Sequence, residues 1–444
     1  MDLLGLFDSA SLPILIVAIL AACNCALVGS YLVLRRMSLL GDAISHGVLP
    51  GLVIGFLLAG SRDLLPMLLG ALVAALGTAL ATDFLKRKLR IDGDAAMGVV
   101  FTTLFALGVI LIERYAGQVD LDPGCVLYGQ VEYASIDRWS FAIFGWRPPR
   151  AAVSLFIVFA FDIAVIALLW KEFLITSFDA PLADSLGLRS TPMHLLLMGM
   201  TAVTTVASFE AVGSILVVAM LVIPAAIGTL LSDRLIGVIL CAQGAAVATA
   251  VGGLMSAEAL DTSVAGMMAV SAGGLFACAF ILAPRHGWLP RRLRRLQLSV
   301  RIVEEDLLGV LYRKIEKAEG TDEPATESGA PPWHPSWLQL LARLRLRLTG
   351  AVTSQGGEAA LTERGRARGQ RLVRRHRLWE IYLSDRLAIP ASHLHDPAHR
   401  IEHFLDEELT RRIEEKLDSP DRDPHGREIP AVPDGGRKRN TPPE

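Results

Sequence analysis

The chain has 444 residues, 52% of them hydrophobic, and a formal charge of -2. That length suits two or three domains. The charge averages two unlike materials, apolar runs over 1–283 and an Arg- and Glu-rich stretch over 285–444, so it identifies no partner. The five cysteines, Cys23, Cys25, Cys125, Cys241 and Cys278, form no CxxC pair and no framework, and most lie in apolar runs, which favours buried free thiols.

Helices that cross a bilayer need about 20 mostly apolar residues. In chain order the candidate spans are 12–34, 43–60, 64–84, 95–113, 152–170, 193–209, 212–231, 235–255 and 264–283. The expected fold is all-α: a polytopic bundle of eight or nine spans, then a mainly helical cytoplasmic domain. The count stays open because 193–231 also reads as one interrupted element. The first run lacks a preceding basic region and is followed by more spans, so it reads as a retained helix. Basic clusters follow the first span (Arg35, Arg36), the third (Lys86, Arg87, Lys88, Arg90) and the last (Arg285, Arg291, Arg292, Arg294, Arg295). With nine spans and an outside N-terminus all three face the cytoplasm. Segment 114–151 then lies outside and 171–192 inside.

Ionisable residues within spans are costly and usually functional. Asp42 and His46 lie four residues apart, on one helical face. A carboxylate with an imidazole suits Mn, Fe or Zn. Asp42 at a span start equally suits a helix cap. Glu210 is a weaker candidate near a helix end, and Asp261 reads as a loop or cap residue.

Three stretches carry a resemblance: Leu39–Gly51, which contains Asp42 and His46; Val119–Asp122 with Val126–Gly129; and Phe178–Arg189 followed by Glu210–Ala226. In order over about 10–285, they resemble the permeases of metal-uptake ABC transporters of the ZnuB, TroC and MntB type. The resemblance implies a non-enzymatic subunit that works with two cytoplasmic ATPases, an extracytoplasmic metal-binding protein and a second permease. It implies that Asp42 and His46 contact the metal in the pathway, with Glu210 kept as the weaker pathway candidate read from the residues themselves. It places ATPase coupling at 178–189, on Phe178, Asp179, Leu182, Ala183, Leu186 and Gly187. Consistently, the chain has no GxxxxGK[ST] phosphate loop.

Beyond Arg295 the pattern is that of a water-facing domain. Val300, Val303, Leu307, Leu308, Leu311 and Ile315 give a helix over 299–318. A Pro-, Gly-, Glu- and Thr-rich linker covers 319–335, a Leu/Arg helix 336–348, and Gly356-Gly357 a turn. Helices follow at about 363–387 and 397–418, and the end of the chain reads as disordered.

Residues 361–430 resemble the metal-binding and dimerisation region of DtxR/MntR-type repressors. The carrying motifs are Leu361–Gly365, Arg375–Glu380, His395–His403 and Asp423–Gly426. By position, the resemblance implies one metal site from His376, Glu380 and His395. It implies a second from His399, Glu402 and His403, with Asp306 adding a carboxylate. The domains are then 1–285, a metal permease; 286–360, a basic linker and divergent winged-helix-like region; 361–430, the repressor-like domain; and 431–444, a disordered tail. The expected function is import of divalent Mn, Fe or Zn across the inner membrane, with a cytoplasmic tail that senses the metal and dimerises. Three arginines, Arg343, Arg345 and Arg347, make a weak phosphate footprint, so DNA is not an expected partner. The alternative is a membrane-tethered metal-responsive transcription regulator.

Overall fold

The computed structural model describes residues 11–59, 64–90, 92–115, 131–136, 148–319, 335–355, 358–390 and 393–431. The motifs at 119–129, most of the 319–335 linker, the Gly356-Gly357 turn, Cys125 and the tail from 432 lie outside them. The chain divides into two compact units, Met1–Arg291 and Arg292–Glu444.

In the first unit α1 (Ser11–Leu34) is the central helix. It is apolar all round and buried along most of its length, as expected for a helix surrounded by others. The next span is broken into α2 (Leu40–Gly47) and α3 (Leu49–Ala59). Pro50 lacks the N–H that would continue the ladder, so the helix is interrupted there. Then come α4 (Leu64–Lys88) and α5 (Gly93–Tyr115). At the α3–α4 crossing a Cβ on Gly51 would stand 2.1 Å from the Gly70 carbonyl oxygen, and one on Gly55 2.5 Å from that of Pro66. Glycines four apart allow this backbone approach, which supplies packing that lipid cannot.

The bundle continues with α6 (Arg150–Leu168), α7 (Trp170–Phe178), the short α8 (Ala180–Ser185) and α9 (Ser190–Val212). It closes with α10 (Ser214–Leu231), α11 (Leu235–Leu260) and α12 (Val264–Leu282). Helices α10 and α11 pack on α1. Among the described residues, nine helical elements are long and apolar enough to span, with α2 and α3 counting as one. The ambiguous stretch 193–231 is two helices. They are separated only by Gly213, whose φ of 81° is a backbone state that glycine adopts without strain. Of the thiols, Cys23 and Cys25 are buried, but Cys278 is exposed on α12, contrary to the buried expectation. Its face of the helix carries exposed apolar side chains rather than a helix neighbour.

The second unit is built from α13 (Trp288–Ala318), α14 (Ser336–Leu348), β1 (Val352–Gln355), β2 (Glu358–Leu361), α15 (Glu363–Leu387), α16 (His395–Ile401) and α17 (Glu407–Lys416). Three outcomes differ from the sequence reading. Helix α13 starts eleven residues earlier, at Trp288 rather than 299, because the Arg- and Leu-rich run continues its ladder. The strands β1 and β2 form an antiparallel hairpin, with Val352 paired to Leu361 and Gln355 to Glu358. They are too short to show an alternating pattern. The helix expected over 397–418 is two, α16 and α17, because Asp406 accepts a hydrogen bond from the Leu409 N–H at 2.7 Å and starts a new helix.

Candidate metal centres

In the first unit Asp42 occupies the first turn of α2. The N-cap position of α2 is held by Leu39, not by Asp42. Asp42 Oδ1 lies 3.4 Å from His46 Nε2, one turn along, with each side chain 36% exposed. Phe101 and Phe105 of α5 flank the imidazole, each with its ring centre 5.7 Å away. Glu210 is in the last turn of α9, and its side chain is not among those described.

The expected coupling segment forms a compact corner. Asp179 caps α8 by accepting from the Leu182 N–H at 2.9 Å, and Gly187 closes the corner with φ of 80°. Ala183 is fully buried, while Phe178, Leu182 and Leu186 are exposed.

The tail brings its predicted ligands together as two groups, His376, Glu380 and His395, and Asp306, His399, Glu402 and His403. Within each group one ligand atom from every residue lies within 4.8 Å of the others. Helix α15 supplies His376 and Glu380 one turn apart. Its start is fixed by Thr362, whose hydroxyl accepts from the Gly365 N–H at 3.1 Å. In the first group His376 Nε2 is 3.0 Å from Glu380 Oε1 and 3.0 Å from His395 Nδ1. Buried Glu380 Oε2 has no hydrogen-bond partner among the described residues. In the second group His403 Nε2 is 3.1 Å from Asp306 Oδ1 on α13, and His399 Nδ1 is 2.8 Å from Glu402 Oε1. Although α16 ends at Ile401, Glu402 keeps helical φ and ψ, so His399, Glu402 and His403 still share one face.

Glu402 joins the two groups, because its Oε2 lies 2.8 Å from His376 Nδ1. Residue Glu305 was not singled out by the sequence, yet its Oε2 is 2.8 Å from His403 Nδ1. Four carboxylates therefore face four imidazoles. Burial pulls the His403 imidazole down, but Asp306 and Glu305 outweigh it and hold it at about 9. Burial pushes Glu402 up, but bonds from His376 and His399 win and bring it to about 2. His376 is likewise raised against its burial by Glu380 and Glu402, and Glu380 is held well below the usual carboxylate range despite its own. Ionised carboxylates beside imidazoles, with an orphaned buried oxygen, fit a divalent transition metal, and the lack of thiolate argues against a soft-metal cage. Arg377, buried on α15, is held by Glu316 at 2.9 Å and by the Glu428 carbonyl, which ties the C-terminal segment to this helix.

The model of the ABC 3 transport family matches residues 9–283. The chain belongs to the ABC 3 transport family. It is a multi-pass membrane permease subunit, not an enzyme, and ATP is hydrolysed on a separate subunit. A second match, to the iron dependent repressor metal binding and dimerisation domain, covers residues 362–431, so a permease and a repressor-type domain share one chain. The zinc transport system membrane protein TroD of Treponema pallidum (strain Nichols) is 35% identical over 362 residues, 80% of this chain and 96% of that one. The manganese transport system membrane protein MntD of Bacillus subtilis (strain 168) is 40% identical over 288 residues, 64% and 96% of the two chains. Among solved structures, PsaBC from Streptococcus pneumoniae in complex with Fab superposes with a TM-score of 0.54 at 30% identity. That match covers 65% of this chain and 97% of that one.

Within the ABC 3 unit the structure adds polar groups that the sequence reading passed over. His194 Nε2 on α9 is 3.1 Å from Asp83 Oδ1 on α4, at a cavity of about 240 Å³ that Asp94, Met97 and Met198 also line. Thr204 donates to the buried Asp162 on α6 at 2.6 Å. Both pairs join helices distant in sequence, so no local motif announces them. An acidic residue inside an otherwise apolar span was the available signal for Asp162.

Proposed function

We propose that the chain imports a divalent transition metal, Mn, Fe or Zn, through the plasma (inner) membrane, and that its tail senses the same metal in the cytoplasm. The observation that carries the import reading is the Asp42–His46 pair on α2, a hard carboxylate and an imidazole at 3.4 Å inside a span. The named functions of the relatives, zinc and manganese transport, support it.

In this reading Asp42 and His46 contact the passing ion, with Glu210 further along the pathway. Alternating access is driven by a cytoplasmic ATPase docked on the corner at 178–189, where Phe178, Leu182 and Leu186 offer exposed apolar side chains. An extracytoplasmic binding protein delivers the metal, and a second permease chain, identical or related, completes the translocation unit. In the tail, His376, Glu380 and His395 hold one ion and Asp306, His399, Glu402 and His403 another, and the tail dimerises, a reading that the repressor-type match supports. Occupancy slows transport only if metal binds one conformational state more tightly than the other.

The test is uptake of isotopic Mn, Fe and Zn by cells expressing the chain with its ATPase, beside Asp42→Asn/His46→Gln and a form truncated after Arg295. The expected result is uptake by the intact chain, loss in the double variant, and uptake without high-metal shut-off in the truncated form. No uptake of any of the three with the ATPase bound overturns the import reading.

A further inference from the structure

The helix α14, Ser336–Leu348, has two apolar faces. One is internal: Leu338 and Ala342 pack with Val300 and Val303 of α13, and Leu346 packs with Leu308, Ala351 and Val352. The other faces out. Trp337 is 53% exposed, Leu340 69%, Leu344 54% and Leu348 79%, with Leu341 beside them also exposed. At 3.6 residues per turn these five positions fall in one stripe roughly 100° wide. Among the described residues nothing packs over it.

Charge frames the stripe. The same periodicity places Arg345 along one flank and Arg343 and Arg347 along the other, all exposed. Arg345 also pairs with Glu304 at 3.2 Å. The helix sequence, SWLQLLARLRLRL, contains no acidic residue. We infer that this face of α14 lies on the surface of an anionic bilayer, with Trp337 and the leucines at the boundary between headgroups and acyl chains and Arg343 and Arg347 on lipid phosphates.

Three observations select that occupant. A basic helix with Trp and Leu on one face has the composition of an interfacial helix, and long Arg side chains reach headgroups while their stems cover apolar surface. A second copy of α14 would cover the leucines but bring three more guanidinium groups and no carboxylate. The domain is also tethered to the spans: α13 begins at Trp288, shortly after the last span ends at Leu282, and such a link raises the effective concentration of membrane. Reading duplex bases would need polar side chains along the face that carries one Trp and four Leu.

The experiment uses the full chain reconstituted in vesicles of phosphatidylcholine alone or with phosphatidylglycerol added. Leu344 is replaced by the photo-crosslinking residue p-benzoylphenylalanine, with the same replacement at exposed Arg411 on α17 as control. The expected result is a lipid adduct at 344, several-fold stronger with phosphatidylglycerol and absent at 411. Replacing the flanking charges by Arg343→Gln/Arg347→Gln should lower it roughly tenfold, given the attraction of each basic side chain to an anionic surface. Because both positions are exposed, these changes leave the internal face intact, and unchanged tail metal binding verifies the fold. An adduct joining two copies, an adduct to residues 320–334 of the same chain, protection by duplex DNA, or no adduct at all would each overturn the inference.

Discussion

At the residue scale the tail sets four carboxylates against four imidazoles, and the proposal that they hold metal has a proton signature. Without metal, protons on the imidazoles balance part of that charge, and His403 keeps its proton up to about 9. Metal needs the neutral ring, so loading releases a proton. Apparent affinity should therefore rise with pH until about 9 and then level off. Titration calorimetry in buffers of different ionisation enthalpy should report about one proton or more released per loaded protein at pH 7. A pH-independent affinity from 6 to 9 would show that His403 is not a ligand. Glu305 orients His403 from behind, so Glu305→Gln should weaken metal binding about tenfold to a hundredfold, and should also lower the metal-free melting temperature at pH 7, where protonated His403 loses one of its two carboxylates. Asp306, eighty-nine positions or more from His395 and its neighbours, could be placed only through the family resemblance. Glu305 beside it carried no sequence signal, because only the fold brings α13 against α16.

Elements show where local chemistry decides structure and where packing does. The stop and restart at Asp406 followed from one capping carboxylate, yet the continuous polar pattern over 397–418 concealed it. The corner at 178–189 was legible as a motif, and its structure has a local cause: Asp179 and Gly187 fix the turn, and exposed Phe178, Leu182 and Leu186 are left on and beside the short helix. Leu182→Glu should abolish co-purification of the ATPase while leaving the melting temperature of the permease within a degree or two, since the side chain is exposed. Loss of folding instead would mean that Leu182 is structural. At the α3–α4 crossing, Gly51→Ala puts a methyl group against the Gly70 carbonyl, and should destabilise the bundle by about 1–3 kcal/mol, read as a lower melting temperature in detergent. Hydropathy finds both helices but says nothing about which glycines touch.

For the whole molecule, the sequence by itself determined the division of labour. Runs of some 20 apolar residues can be stable only as membrane helices, because an unpaired backbone in lipid is too costly. A chain with no phosphate loop must borrow its ATPase, and a charged segment after the last span cannot be lipid-embedded. These properties follow from composition and local pattern, which need no knowledge of the fold. The grouping of the candidate ligands came from the family resemblance, with which the helix-turn spacing of His376 and Glu380, and of His399, Glu402 and His403, agrees. Only the tertiary structure decided that Glu305 stands behind His403, that Glu402 ties the two groups together, and that Asp83 meets His194. It also decided which of the two apolar faces of α14 is buried. Each of these depends on elements far apart in the chain closing to within about 3–4 Å, where hydrogen-bond and burial energies are set. Local periodicity fixes which face of a helix a residue occupies, but not what that face will meet.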